Sequence, residues 1–190
     1  MDGREKSFSE KEYKETLENS ITNLIEKCII TEDIKPIMAI IGSKILREFV
    51  SDETFESILS HYHEKGNVKI FLELTNLKEK DFSENEIEEI IENYYKAKHH
   101  KISRAESEED FYEKIEDFIE ACKGGKDIDT IVAIIKSKAL EKFVSKETFG
   151  EIFEFALSYY RKEKNLKMFL ELSDINKRKI TLDELEEIIS

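Results

Sequence analysis

Proline occurs once in this chain of 190 residues, at Pro36, glycine six times, cysteine twice and tryptophan not at all. So few turn-formers, beside abundant Glu, Lys, Ile and Leu, argue against a fold of many short strands and for helices. Two cysteines, Cys28 and Cys122, are too few for a disulfide framework, and a reducing cytoplasm is the expected setting. No segment approaches the ~20 apolar residues of a membrane span. The opening "MDGREKSFSEKEYKE" has no apolar core, so no signal peptide is expected. Cations are also in deficit, with 30 Lys and Arg against 43 Asp and Glu, a net charge of −13 spread over both halves. That balance disfavours ordinary nucleic-acid binding, which needs a basic surface to meet phosphates. It suits a solvated acidic surface, a basic partner, or imitation of a nucleic acid.

What is present is repetition. "IMAIIGSKILREFVSDETF" (Ile37 to Phe55) returns 94 residues later as "IVAIIKSKALEKFVSKETF" (Ile131 to Phe149). Downstream, "SHYHEKGNVKIFLEL" from Ser60 matches "SYYRKEKNLKMFLEL" from Ser158, now at an offset of 98. The second half has therefore gained four residues between Phe149 and Ser158. Four residues are close to one helical turn, which a helix absorbs with little rotation of its face. The pattern reads as an internal tandem duplication. The expected fold is all-α, with two similar halves of about five helices each, as two helical bundles or a short helical solenoid. The first repeat spans 1–100, the linker 101–106 and the second repeat 107–190.

Periodicity and punctuation place the helices. Leu17, Ile21, Leu24, Ile25 and Cys28 form one stripe, repeated by Phe111, Ile115, Phe118, Ile119 and Cys122. Helices from about Ile34 and Ile128 are apolar around most of their circumference and should be the most buried. Pro36 is tolerated because it falls in a first turn. Ser51 and Ser145 read as N-caps, and Ser83 with Glu86 and Thr181 with Glu184 as capping boxes.

Chemistry-bearing motifs are sparse. The chain contains no CxxC, HExxH or GxSxG and no glycine-rich phosphate loop. No cofactor or metal is expected, and glutamate pairs such as Glu88–Glu89 are expected on solvent faces. His61 and His63 should point about 200° apart on a helix, the wrong geometry for a shared ion. Lys96, Lys98, His99, His100, Lys101 and Arg104 form the one basic cluster, placed to complement a helix C-terminus or to bind an anion or acidic partner. Phe155 and Tyr159 are four apart, roughly 90 to 130° off the core stripe. They are the candidate partner-binding residues, with His61 at the position matching Tyr159.

The stretch "MFLELSDINKRKITLDELEEII" resembles an EF-hand, with Ile180 and Glu184 at the spacing of that motif's eighth and twelfth loop positions. The resemblance puts Ser173, Ile175 and Lys177 where calcium ligands are needed, and Thr75, Leu77 and Glu79 in the first repeat. It therefore implies a degenerate, non-calcium-binding form.

The reading that results is a non-enzymatic acidic helical scaffold or adaptor. It would bind another macromolecule, expected to be a protein, through a groove or face between the halves. The alternatives are an acidic inhibitor imitating nucleic acid, an EF-hand-like regulator that binds no calcium, and an enzyme with an unrecognised site. Calcium titrated to millimolar levels should leave the melting temperature and circular dichroism unchanged. A clear rise in melting temperature would bring the Ser173 and Thr75 loops into play.

Overall fold

The computed structural model describes residues 9–98 and 107–189; the expected linker at 101–106 lies outside them. The described secondary structure is helical throughout, without strands. The helices are α1 (Glu10–Thr31), α2 (Ile34–Gly42), α3 (Lys44–Arg47), α4 (Asp52–Glu64), α5 (Val68–Lys78) and α6 (Glu84–Ala97). They continue as α7 (Glu108–Gly124), α8 (Ile128–Lys136), α9 (Lys138–Glu141), α10 (Lys146–Lys162), α11 (Leu166–Ile175) and α12 (Leu182–Ile189). The one-turn α3 and α9 were not foreseen. Each exists because a serine, Ser43 or Ser137, adopts an extended conformation and caps a new turn, accepting from Leu46 N or Leu140 N at 3.3 Å.

The other caps follow the sequence signals. Ser51 and Ser145 accept from Thr54 N (3.1 Å) and Thr148 N (3.0 Å), and Asn67 and Asn165 cap α5 and α11. Capping boxes close at Ser83 with Glu86 and at Thr181 with Glu184. A third, Ser9 with Glu12, opens α1. Each box satisfies two backbone donors that the first helical turn leaves unpaired.

The chain forms two compact units, Met1–Tyr62 and His63–Ser190. In the first, α1 packs on α2, and Ile21, Ile25, Cys28, Ile37 and Ile41 are buried. Thr22 and Thr54 approach to 3.4 Å between α1 and the start of α4. Leu24, expected on the core stripe, is exposed.

The second unit is built around α8, which α5, α7 and α10 all contact. Six consecutive residues of α8, Thr130 to Ile135, are buried, as its all-round apolar character requires. The contact with α5 is the most extensive between any two helices among the described residues. Asn76 of α5 locks it, donating to Lys136 O (2.5 Å) and accepting from Lys138 N (3.3 Å) across the α8–α9 break. Between α5–α6 and α7–α8, the apolar core around Phe71, Leu72, Ile119 and Ile134 leaves a void of only about 10 Å³.

One side chain departs from expectation. Glu88 does not lie on a solvent face: it is buried on α6 and meets Lys114 of α7 at 2.5 Å, with both side chains largely shielded. Helical spacing places Glu88 one residue after Ile87, so only the arrival of α7 encloses it. Gly66 ends the α4–α5 turn at φ +64°, where a Cβ would lie 2.3 Å from the Asn93 carbonyl oxygen. No other residue fits there without moving α6.

Ile41→Ala and Ile135→Ala should each cost about 2–5 kcal/mol, from lost transfer energy plus a cavity. Urea unfolding of the whole chain measures this. A change below about 1 kcal/mol would place the core elsewhere.

Candidate functional site

A groove of the second unit, about 570 Å³, is walled by α5, α8, α10 and the start of α11. Helical spacing aims the side chains into it. Lys69 and Glu73 sit four apart on α5, and Asp129, Val132 and Lys136 share a face of α8. Tyr159 projects from α10 and Met168 from α11. Lys69 Nζ lies 2.9 Å from Asp129 Oδ2, and Lys136 pairs with Glu171 of α11. Burial pushes the Glu73 carboxyl above its ordinary range and Asp129 adds to this, with Lys69 and Lys136 opposing. Tyr159 meets Tyr160 edge to face, ring centroids 5.4 Å apart. The groove thus sets ions of alternating sign around an aromatic ring and a thioether.

Of the expected partner-binding residues, Tyr159 lines this groove and Phe155, one turn earlier on α10, is half-buried. His61 belongs to the other unit, where it is half-buried with its ring 5.0 Å from Tyr62. Its Nε2 is buried with no hydrogen-bond partner among the described residues. His63 belongs to the second unit, near Phe71 and Asn93. Lys69, Glu73, Asp129 and Lys136 were not foreseen as a set. The Lys69–Glu73 spacing was visible, but its meeting with α8, 60 residues away in sequence for Lys69 and Asp129, was not.

A second, smaller groove of about 290 Å³ lies beside the end of α6. There the Tyr94 hydroxyl donates to Asp127 Oδ2 at 3.0 Å, and Lys98 Nζ lies 3.5 Å from that oxygen and 4.6 Å from the Tyr94 ring centroid. Asp127 also caps α8, accepting from Thr130 N at 3.3 Å. Burial raises the Asp127 carboxyl, but Tyr94, Thr130 and Lys98 together outweigh it and hold the group below its ordinary value. Burial, reinforced by Cys122 and Asp127, pushes the Tyr94 hydroxyl well upward. Of the expected basic cluster, Lys98 is thus engaged with Asp127, and Lys96 lies 3.5 Å from Glu92. His99, His100, Lys101 and Arg104 lie outside the described residues.

Both thiols are buried, and burial pushes Cys122 up to about 12. At the EF-hand-like stretches, Ser173 Oγ donates to Phe169 O and Thr75 Oγ1 to Phe71 O, so both hydroxyls are turned back onto their own helices. Glu184 is held by Arg161 (2.5 Å) and Arg178 (2.8 Å) as well as by its capping box. Among the described residues, no group of three or more His, Cys, Asp or Glu side chains could hold a metal ion. No described helix is long and apolar enough to cross a membrane. No protein-family model, curated protein or solved structure matches this chain.

Tyr94→Phe should cost about 1.5–3 kcal/mol by removing a hydrogen bond to a charged acceptor. Asp127 titrates lower in the folded protein than in the unfolded chain, so its contribution is complete above the unfolded carboxylate range and is lost as pH falls through the folded value. The stability gap between wild type and Tyr94→Phe should therefore narrow on acidification. A gap that is constant with pH would assign the loss to packing alone.

Proposed function

We propose that this chain is a non-enzymatic, acidic helical scaffold that arose by tandem duplication and binds another protein through the groove at Tyr159. The duplication reading is supported by the order of elements, since α1–α6 and α7–α12 run through the same sequence of long, short, one-turn, long, medium and capped helices. It is supported too by serine caps at the corresponding residues Ser43 and Ser137, and Ser51 and Ser145. The four extra residues of the second repeat fall in α10, which has 17 residues where α4 has 13. These four residues add about one helical turn to the second repeat.

The observation that carries the binding reading is the position of this turn. The lengthened helix supplies Tyr159 to a groove whose opposite wall, α5, comes from the first repeat. A partner segment lying there would touch both repeats. It would cover an aromatic ring while its own charges replace water around Lys69, Glu73 and Lys136. Half-exposed tyrosines framed by polar groups are frequent anchors of protein interfaces.

The test uses the whole chain with a photo-reactive residue at Tyr159, and for comparison at Lys162 on the exposed end of α10, in extracts of the native source. A protein cross-linked from position 159 and not from 162 is the expected result. Tyr159→Ser should leave helicity unchanged and weaken binding of that protein by about 30-fold, the loss of roughly 2 kcal/mol from an interface anchor. Undiminished binding by Tyr159→Ser would overturn the assignment of the groove.

A further inference from the structure

Inside the second unit, the end of the first repeat covers the beginning of the second. Helices α5 and α6 lie on α7 and α8. Asn76 spans the α8–α9 break, Lys142 Nζ lies 3.4 Å from Phe82 O and 3.6 Å from Asp81 Oδ1, and the Tyr94 and Tyr95 rings meet Phe118 edge to face. The chain carries a second beginning of this kind, α1–α3, and a second end, α11–α12.

Five of the residues buried in the second unit at this junction have counterparts on those two faces that are exposed, while others, such as Phe71 and Ile119, have buried ones in Phe169 and Ile25. Ala139 is 7% exposed, whereas Ile45, its match in the first repeat, is 73% exposed. Ile91 is 4% exposed, whereas Ile189, its match in the second, is 70% exposed. The same contrast separates buried Phe118 from exposed Leu24, Leu140 from Leu46, and Leu72 from Leu170. Five large apolar side chains thus stand in water at positions where the internal junction keeps their counterparts dry. Single exposed apolar residues are ordinary, but matched sets on two faces are not.

Polar positions carry the same correspondence. The Asp81–Lys142 pair of the junction becomes Lys179 and Glu48, so an ion pair is kept with its signs exchanged. Asn76 becomes Asp174, whose carboxylate can accept from the Lys44 N–H as Asn76 accepts from Lys138. The Lys69–Asp129 pair is not kept, since its counterparts Lys167 and Lys35 are both cations.

We propose that the α11–α12 face of one copy docks on the α1–α3 face of a second copy of this chain, in the arrangement that α5–α6 adopts on α7–α9. The two faces differ, so the association is head to tail, and each added copy presents a fresh face for the next. This inference rests on the duplication proposed above.

Sedimentation velocity on the full chain over a wide concentration series tests it. The wild type is expected to show an average mass that rises with concentration above that of the monomer. Ile45→Glu spoils only the α1–α3 face and Leu170→Glu only the α11–α12 face. Both positions are exposed, so circular dichroism should show native helicity. Each variant alone should remain monomeric, and an equimolar mixture should form a dimer and grow no further, because it retains one intact pair of faces. A wild type that is monomeric throughout, a single variant that associates as the wild type does, or a mixture that stays monomeric would each overturn the proposal. An experimental structure separates the two ideas. Repeats that superpose in a monomeric chain sink only the assembly, and repeats that do not superpose sink the duplication with it.

Discussion

A nine-residue helix with six consecutive buried residues turns most of its circumference away from water, and α8 places that requirement on everything around it. An amphipathic helix needs one covering neighbour; α8 needs several, and α5, α7 and α10 supply them. Burying this element contributes apolar transfer energy on each covered face, at about 25 cal/mol per Å² removed from water. The polar backbone at its ends must then be satisfied locally. Asp127 caps one end, and Asn76 and Ser137 take up the break at the other. Through α5, the covering of α8 joins segments 60 residues apart, so the second compact unit starts at His63, well before α7.

That crossing explains what could be read from the sequence. Helix type, most caps, the buried character of α8 and the burial of both thiols follow from local spacing and apolar pattern, and these were legible. The short helices α3 and α9 were not, because "GSK" and "KSK" give no hint that the serine breaks the helix instead of continuing it. Glu88 and Leu24 were misplaced for a related reason. Periodicity assigns a residue to a face, but only the neighbouring helix decides whether the face is wet. Glu88 became buried when α7 brought Lys114 to it, and Leu24 remained exposed where its counterpart Phe118 is covered by α6.

The candidate groove was legible in part. Tyr159 stood out because it fell off the core stripe of a lengthened helix. The charges that surround it did not, because Lys69, Asp129, Lys136 and Glu171 are ordinary solvated residues until three helices bring them together. A buried ion pair such as Glu88–Lys114 contributes little net stability, yet losing one partner costs about 3–5 kcal/mol, so it favours one register of α6 on α7 over its neighbours.

The two cysteines have a further consequence. One lies in each compact unit, Cys28 in the first and Cys122 in the second, and both are buried. A thiol shut away from solvent reacts with an alkylating reagent only when its surroundings open. The chain therefore carries a separate natural reporter for the opening of each unit. The ratio of the two labelling rates in the unmodified protein would reveal whether the units open together or one at a time.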